Sequence, residues 1–366
     1  YDVVRDGKII YNDRIDDLDI PPHQNKTITL TYRIPETGNV QLNLYYYTKH
    51  ETSLVGSSHL LGHDQIILRK QSISIPTAPK QTLTVNESDC AIEIFGEQFR
   101  YVFNKLTGNF DSLVKDGINL LSKPMEYNIW RAPTDNDREI RIEWQKAGYD
   151  RMTVKVYQVS VKQRSDQVVI TADLSLSAVF IQRILTIKAT WTIHSDGHIS
   201  ADLHVNRNTE LPFLPRFGLR LFLPKQFDQV TYTGYGPYES YIDKHRASIF
   251  GTFTSKVCNL HEDYIKPQEN GSHWGCKSVC ISNPFAYTIA AFGEHFSFNA
   301  SEYTQEELSS KMHNYELTPC ENTVLCLDYQ QSGIGSNSCG PALLKPYRLD
   351  ADTFDYHIDL VGYYER

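Results

Sequence analysis

The chain has 366 residues, 40% of them hydrophobic, and 36 basic against 44 acidic side chains give a formal net charge of −8. No apolar run approaches the roughly 20 residues of a membrane-spanning helix, and no block of lysine and arginine supplies the clustered positive charge that tracks phosphates. We therefore expect a soluble protein, cytoplasmic or periplasmic, with no membrane and no nucleic acid among its partners. The length suits two domains, and a start at Tyr1 without a signal pattern predicts a fragment or processed product.

The first part of the chain alternates polar and apolar residues, as half-buried β-strands do. The alternation is clear in residues 26 to 32 and again in residues 40 to 46, where side chains two positions apart share one face. Residues 1 to 77 are predicted to form a small β-sandwich of about seven short strands. Residues 75 to 80 carry two prolines, which a central strand does not accept, so we expect a stiff linker there.

Beyond this linker the alternation is longer and more persistent. Apolar stripes in residues 185 to 193 and 199 to 205 flank the turn signal Asp196-Gly197, which predicts a β-hairpin. We expect further strands, and hence a large antiparallel sheet system, at residues 168 to 174, 217 to 223, 278 to 281, 287 to 292 and 323 to 330.

Helices are scarce in the predicted pattern. Residues 139 to 147 form one short helix that ends at Gly148, and Thr304 has capping-box spacing to Glu307 ahead of a second one. The chain lacks the rhythm of alternating strands and helices that a parallel sheet requires.

Motifs that carry chemistry by themselves are missing. The sequence has no nucleophile elbow, phosphate-binding loop, dinucleotide fingerprint or zinc-protease motif. His59 and His63 lack the intervening glutamate, which favours surface or loop histidines over metal ligands. Cys276 and Cys280 lack a second pair and are better read as buried, inert thiols. Seven cysteines are too few for a disulfide scaffold, so we expect reduced thiols.

Polar and aromatic residues are concentrated in four segments, at residues 128 to 137, 234 to 243, 267 to 275 and 332 to 341. They combine ring faces or tight turns with planar hydrogen-bonding groups, and sugars need both. Pro133 favours an extended Ala132, so Asp135 and Asp137 should lie on a turn. The alternative is ordinary hairpin loops, with Asp135 and Asn136 forming Asx-turns. Two aspartates on one turn rarely flank a glycosidic bond as a catalytic pair does, about 5 to 9.5 Å apart.

These segments, in this order and at this spacing, resemble the C-terminal region of the bacterial β-galactosidases of glycoside hydrolase family 2. Residues 131 to 137 look like that family's R-A-P-x-D-N-D signature, and residues 236 to 241 like its G-P-x-E-x-Y. Gly333, Gly335 and Ser338 look like its G-x-G-x-x-S. The similarity spans essentially the whole chain.

The resemblance implies an all-β fold in two domains. Residues 1 to 80 would form an immunoglobulin-like β-sandwich, and residues 81 to 366 a large antiparallel β-supersandwich of the galactose-mutarotase type. The family's two catalytic glutamates and its magnesium and sodium ligands lie on a TIM barrel, and this sequence shows no eight β/α units. We therefore expect no catalytic residue, metal site or cofactor in this fragment.

The function that the resemblance implies is that of a parent β-galactosidase, which hydrolyses terminal non-reducing β-D-galactose residues with retention. This fragment would supply structural support and loops bordering the substrate site. Expected partners are galactose or a β-galactoside, the catalytic TIM barrel of the same parent chain, and further copies of the parent in a homo-oligomer.

The resemblance also implies roles for particular residues. Those expected at the substrate-site rim are Arg131, Asp135, Asn136, Asp137, Arg138, Glu139, Asn337, Ser338 and Cys339. Candidate sugar-binding residues are Tyr238, Glu239, Glu269, His273 and Trp274. Arg131 is suited to a two-pronged bridge to a carboxylate. Cys339 stands where some members place a tryptophan that stacks on the sugar, and a thiol offers no ring face, so aglycone preference should differ. Replacing Asp135 or Asp137 should alter substrate affinity or loop closure in the full-length enzyme and leave the folding of this fragment nearly unchanged.

Two alternatives stay open on the sequence. An autonomous carbohydrate-binding or mutarotase-like module needs a general acid and a general base converging on a sugar, and His204, His273, Glu239 and Glu269 supply those residue types. A purely structural or oligomerisation module would bind no sugar at all.

Overall fold

The computed structural model of the chain describes residues 1–71, 82–164, 166–335 and 337–364. The linker predicted at residues 75 to 80 lies outside the described residues. The chain divides into two compact units, Tyr1–Ser74 with Ile249–Thr252, and Ile75–Ser248 with Phe253–Arg366. Strands dominate both units, so the all-β fold class is confirmed.

The first unit is built on a four-stranded sheet within its described residues. The strands are β1 (Asp2–Arg5), β2 (Lys8–Asn12), β3 (Val40–Tyr47) and β4 (Leu60–Arg69). Their order is β2-β1-β3-β4, and all neighbours run antiparallel. One face buries a small cluster of Val3, Val40 and Leu42.

The strand prediction for residues 26 to 32 was wrong, and the described residues 1–71 form four strands instead of about seven. Leu30 and Tyr32 nevertheless pack against the buried cluster of the sheet. The alternation therefore indicated which side chains point inward, but residues 26 to 32 do not pair with a neighbouring strand through backbone hydrogen bonds.

The second unit contains a five-stranded meander in the described residues. Its strands are β5 (Thr84–Glu87), β6 (Ala91–Phe95), β7 (Phe99–Asn104), β8 (Asn109–Lys115) and β9 (Ile118–Asn119). They lie in chain order, and each pairs antiparallel with the next.

A larger sheet of twelve described strands forms the rest of this unit's framework. The strands are β10 (Lys123–Asn128), β11 (Thr153–Gln163), β12 (Gln167–Ser177), β13 (Leu185–His194), β14 (Ile199–Arg207), β15 (Arg216–Pro224), β16 (Gln229–Gly236), β17 (Ile249–Lys256), β18 (His273–Ser282), β19 (Tyr287–Ser301), β20 (Asn322–Gln331) and β21 (Thr353–Tyr364). The main path is β10-β15-β20-β19-β21-β14-β13-β12-β11, and β16 pairs with β17 and β18 beside it. All the strands predicted in this region are confirmed.

The predicted hairpin is formed by β13 and β14, whose apolar stripes are buried. Gly197 in its turn has φ +81°, which favours glycine. The turn is held by the five-stranded sheet, since Tyr101 Oη donates to the Gly197 carbonyl at 2.6 Å and Lys115 Nζ to the Asp196 carbonyl at 2.7 Å. Phe110 also meets Trp191 edge to face at 5.3 Å. One continuous core therefore lies between the two sheets.

Two short α-helices occur in the described part of the chain, α1 (Ile140–Lys146) and α2 (Gln305–Ser310). Both predicted helices are confirmed. Gly148 follows α1 with φ +77°, and Thr304 Oγ1 accepts the Glu307 N–H at the start of α2. Neither helix is long and apolar enough to cross a membrane.

Candidate functional site

The loop after β10 folds into a single turn of 3₁₀-helix, Asp135–Asp137. Thr134 precedes the turn with an extended backbone, and its N–H donates to Asp137 Oδ2 at 2.9 Å. The two aspartates therefore lie on a turn, as the position of Pro133 predicted.

Inside this loop Arg131 and Asp137 form a two-pronged ion pair. Arg131 Nε donates to Asp137 Oδ2 at 3.0 Å and Nη2 donates to Oδ1 at 2.8 Å. Burial lowers the pKa of Arg131, but the adjacent carboxylate outweighs it and the net pKa is raised, so the guanidinium stays charged. The two side chains are 0% and 6% exposed. Both are too deeply buried to touch a sugar, so they shape the rim instead of forming its surface.

Arg131 also joins its own loop to the fourth polar segment. Its Nη1 donates to the Ser332 carbonyl at 2.5 Å and its Nη2 to the Gly333 carbonyl at 3.1 Å. The guanidinium carbon lies 5.5 Å from the centre of the buried Trp144 ring, and Trp144 Nε1 donates to the Phe213 carbonyl. Helix α1 thus supports the buried pair from behind.

Asn136 makes a second link between these two segments. Its side-chain amide donates to the Gly335 carbonyl, and its side-chain oxygen accepts the Ser338 N–H at 3.3 Å. Cys339 follows and is exposed. Asn136 therefore bonds to the fourth segment at both Gly335 and Ser338.

The third segment packs against the first through backbone contacts. The Asp135 N–H donates to Gln268 Oε1 at 2.9 Å, and the Glu269 N–H donates to the Ala132 carbonyl at 2.9 Å. These contacts fix the start of the 3₁₀ turn and the loop residue Ala132 that precedes Pro133.

The second segment reaches the fourth through Asp243. Its carboxylate accepts the Ile334 N–H at 3.1 Å and the Gly335 N–H at 2.7 Å. The structure therefore brings together all four segments that the sequence singled out. Nothing in the sequence distinguished Asp243 from the other acids of its segment.

Glu269 is 5% exposed and is enclosed by protein partners. Arg216 Nη1 donates to both of its oxygens at 3.2 and 3.3 Å, and Asn299 Nδ2 donates at 2.9 Å. Arg216 also makes two hydrogen bonds to Asp328. We infer that Glu269 holds the third segment to the sheet, since a sugar would have to displace these partners. A charge at Arg216 or Asp328 within an apolar strand was the signal that could have revealed this network.

Glu239 is similarly engaged inside the protein. Lys244 Nζ and Tyr264 Oη donate to its Oε1 at 2.5 Å, and the Gly271 N–H donates to its Oε2 at 2.9 Å. Tyr241 Oη lies at 3.4 Å from Oε2. This carboxylate therefore joins the second segment to the third and has little capacity left for a ligand.

The aromatic candidates differ in how far they reach solvent. His273 is buried against Phe298, and burial lowers its pKa to about 4, so the ring is neutral. Trp274 is half-buried and stacks on His245 with ring centres 4.3 Å apart. Tyr238 is 63% exposed. Of the three, Tyr238 and Trp274 present ring surface to a ligand.

The residue types offered for a mutarotase-like reaction do not gather at one point. His204 lies on the exposed face of β14, where its Nδ1 is 2.7 Å from Asp355 Oδ1. His273 is buried near the start of β18 and its Nδ1 donates to the Gly271 carbonyl. No contact among the described residues joins His204 to His273, Glu239 or Glu269.

A cleft of about 600 Å³ opens beside the joined first and fourth segments. Its wall includes Asn136, Glu139, Arg207, Phe213, Asn337 and Arg348. Asp135, Arg138, Glu139 and Cys339 are exposed, whereas Asn136, Asn337 and Ser338 are half-buried. The cleft offers one aromatic side chain together with donors and acceptors, which suits a polar, sugar-like ligand.

No group of three or more His, Cys, Asp or Glu residues in the described ranges is arranged to hold a metal ion. His63 lies on β4, and Cys276 is fully buried, with a pKa that burial raises well above its ordinary value.

Comparison with known protein families identifies the class to which this chain belongs. Residues 95–360 match the family described as beta galactosidase small chain, and residues 1–69 match domain 4 of beta-galactosidase. The first match covers well over half of the sequence. The chain therefore belongs to the β-galactosidase small-chain family.

Individual relatives agree with this assignment. A β-galactosidase of Actinobacillus pleuropneumoniae is 39% identical over 366 residues, covering 99% of this chain and 36% of the relative. A β-galactosidase of Staphylococcus xylosus is 34% identical over 342 residues, covering 93% of this chain and 34% of the relative. The chain thus spans about a third of the length of these relatives.

Among solved structures, a galactose 1-epimerase from Lactobacillus acidophilus is similar to this chain at a TM-score of 0.43. The two share 9% identity, and the match covers 78% of this chain and 100% of the epimerase. A likeness this distant says nothing about activity.

Proposed function

We propose that this chain is the C-terminal portion of a β-galactosidase that hydrolyses terminal non-reducing β-D-galactosides with retention. Cleavage is carried out by two glutamates on a TIM barrel elsewhere in the parent chain. This portion contributes the rim of the substrate site and supports it from one side.

The observation that carries the proposal is the frame centred on Arg131. One guanidinium bonds both to Asp137 of its own loop and to the carbonyls of Ser332 and Gly333. Because this frame is buried, it holds the exposed residues around it at fixed positions. The names of the relatives, and the third of their length that this chain spans, support a parent with a separate catalytic part.

Within this proposal the exposed residues face the substrate. Asp135, Arg138 and Glu139 lie on the chain just before α1, and Cys339 follows Ser338, whose N–H bonds to Asn136. Tyr238 and Trp274 offer ring surface from the second and third segments. Glu239, Glu269 and His273 act beneath them as structural supports.

Metal ions of the parent belong outside this chain in our proposal. The resemblance implies magnesium and sodium for the full-length enzyme, and their ligands would come from the barrel. The proposed parent is a homo-oligomer.

Activity measurements on two proteins test the proposal. The purified 366-residue chain, shown to be folded by circular dichroism, should release no chromophore from a nitrophenyl β-galactoside. The full-length parent should release it, with the β-anomer of galactose appearing first by NMR. Turnover by the 366 residues alone would overturn the proposal.

A second measurement separates the proposal from the mutarotase alternative. Fresh α-galactose should change its optical rotation at the same rate with and without the 366-residue chain. A faster change would favour an autonomous sugar epimerase.

A further inference from the structure

Asp243 is the last residue of the second polar segment and lies outside the family-like motif at residues 236 to 241. It follows β16 and is half-buried. Its two carboxylate oxygens separately accept the consecutive N–H groups of Ile334 and Gly335, at 3.1 and 2.7 Å. A carboxylate that bonds backbone N–H groups makes charge-assisted hydrogen bonds, which are stronger than neutral ones.

The same carboxylate explains why glycines occupy positions 333 and 335. A Cβ atom on Gly333 would lie 2.5 Å from Asp243 Cγ, closer than real Cβ contacts allow. Gly335 has φ +54°, a backbone conformation that residues other than glycine rarely adopt. The first glycine therefore leaves room for Asp243, and the second permits the turn that aims its N–H at the carboxylate.

Both N–H groups and carbonyl groups of the turn at residues 333 to 335 are hydrogen-bonded to side chains. Asp243 accepts its N–H groups, while Arg131 and Asn136 donate to the carbonyls of Gly333 and Gly335. An anionic group on one side and cationic or amide donors on the other fix the turn in position and orientation. Asn337 and Ser338, which are half-buried, and the exposed Cys339 lie a short way further along the chain.

We propose that Asp243 is a positioning residue for the acceptor side of the substrate site, and that it thereby sets the enzyme's preference between water and sugar acceptors. This inference rests on the proposed function. Asp243 touches none of the reacting atoms; it acts by fixing where Asn337, Ser338 and Cys339 stand.

The step affected is the second half of a retaining reaction. The galactosyl group is bonded through its anomeric carbon to the nucleophilic carboxylate, and that bond breaks as an acceptor oxygen attacks the same carbon. The electron pair of the broken bond returns to the nucleophile, and the acceptor's proton passes to the other carboxylate. Water and a sugar hydroxyl compete for this step, and a rim on the acceptor side favours the sugar by holding it.

Galactosyl transfer in the full-length parent tests the inference. With nitrophenyl β-galactoside as donor and glucose as acceptor, the nitrophenol released in excess of free galactose measures transfer. Asp243→Ala removes both charge-assisted hydrogen bonds to the turn and should lower the transferred fraction by about tenfold or more. Asp243→Asn keeps one acceptor oxygen and should fall between the wild type and Asp243→Ala. The transferred fraction compares two products of one covalent intermediate, so it separates acceptor preference from any change in kcat.

Two further variants distinguish a displaced turn from a general loss of folding or activity. Gly333→Ala displaces the turn while leaving the Asp243 charge in place, and it should reproduce the loss of transfer. Glu316→Ala is the matched control, because the Glu316 carboxylate also accepts two consecutive N–H groups, those of Met312 and His313, at 2.9 and 3.0 Å. It should transfer like the wild type.

Hydrogen exchange in the same proteins gives a readout that does not depend on activity. Asp243→Ala should speed exchange of the Ile334 and Gly335 amides, and Glu316→Ala that of the Met312 and His313 amides. An active wild type whose Asp243→Ala and Gly333→Ala variants transfer as well as Glu316→Ala would overturn the inference and leave the proposed function standing. A full-length wild type without galactosidase activity would instead overturn the proposed function, and the inference with it.

Discussion

Asp137 accepts two parallel hydrogen bonds from Arg131 in a place where Arg131 is fully buried and Asp137 nearly so. Removing one partner of such a pair leaves an unpaired buried charge, which costs roughly 3–5 kcal/mol. Asp137→Ala should therefore lower the free energy of unfolding of the 366-residue chain by about that amount, measured by urea titration with tryptophan fluorescence. The burial of Asp137 argues against the expectation, drawn from the sequence, that its replacement would hardly affect folding.

Asp135→Ala is the control for this measurement. Asp135 is exposed and lies two residues away on the same turn, so its loss should stay within about 0.5 kcal/mol. Equal unfolding midpoints for the two variants would contradict a stabilising role for the buried pair.

Arg216 should contribute as much to the free energy of unfolding as the Arg131–Asp137 pair does. Arg216→Met leaves Asp328 and Glu269 buried without their cation, so we expect a loss of roughly 3–5 kcal/mol in urea unfolding. Arg220 on the same strand is a close control, since it also joins two carboxylates, Glu126 and Glu306. Those partners are 45% and 58% exposed, so after Arg220→Met they are solvated and the loss should be about 1 kcal/mol or less. Similar losses for both variants would contradict this account.

His357 should make stability depend on pH. Its Nδ1 lies 2.7 Å from Asp202 Oδ1 and its Nε2 lies 3.1 Å from Asp359 Oδ2, and only an imidazolium can donate to both. Burial lowers the pKa of His357, but these carboxylates outweigh it and the net pKa is raised. The stabilisation is therefore full below the unfolded pKa of about 6.5 and is lost as pH rises through the folded pKa.

The variant His357→Gln should accordingly lie further below the wild type in urea midpoint at pH 6 than at pH 8.5. The exposed His50 provides a control, because His50→Gln should differ little from the wild type at either pH. Below pH 4 the stability should also depend on the protonation of Asp359. Burial raises the pKa of Asp359, but hydrogen bonds from His198 and Ser200 outweigh it and lower the pKa to about 2, so its contribution fades between about pH 4 and 2. A His357→Gln deficit that grows toward pH 8.5 would refute this assignment.

Cys339 gives a prediction about acceptor preference in the full-length parent. The side chain is exposed, so Cys339→Trp should leave the unfolding midpoint nearly unchanged. An indole at this position would supply the ring face that sugars stack on, worth roughly 0.5–1.5 kcal/mol. We expect the concentration of glucose needed for half-maximal transfer to fall several-fold, with Cys339→Ser as the control. An unchanged glucose dependence would place residue 339 away from the acceptor.

Much of the fold could be read from the sequence because strand periodicity is a local signal. The stripes of β13 and β14 and the Asp196-Gly197 turn predicted a hairpin that the structure confirms. Residues 26 to 32 show the limit of that signal. Their alternation marks the inward side chains Leu30 and Tyr32, but a strand also needs a partner with free backbone groups, which local sequence does not reveal.

The site was predictable only in part, for a related reason. The four polar segments were recognisable by composition, and the two-pronged bonding of Arg131 followed from the geometry of its guanidinium. The partner of each side chain depends on long-range packing, however. Glu239 and Glu269 have the residue type of sugar ligands, yet their hydrogen bonds go to Lys244, Arg216 and other protein groups.

The central claim, that the turn held by Arg131 and Asn136 borders a galactoside site in the full-length parent, is tested most directly by alkylation of Cys339. Cys90, Cys258 and Cys339 are the exposed cysteines of the described residues, and peptide mass mapping distinguishes them after timed treatment with iodoacetamide. A non-hydrolysable thiogalactoside with an aromatic aglycone should slow alkylation of Cys339 and leave Cys90 and Cys258 unaffected. Equal alkylation of Cys339 with and without saturating thiogalactoside would contradict the claim.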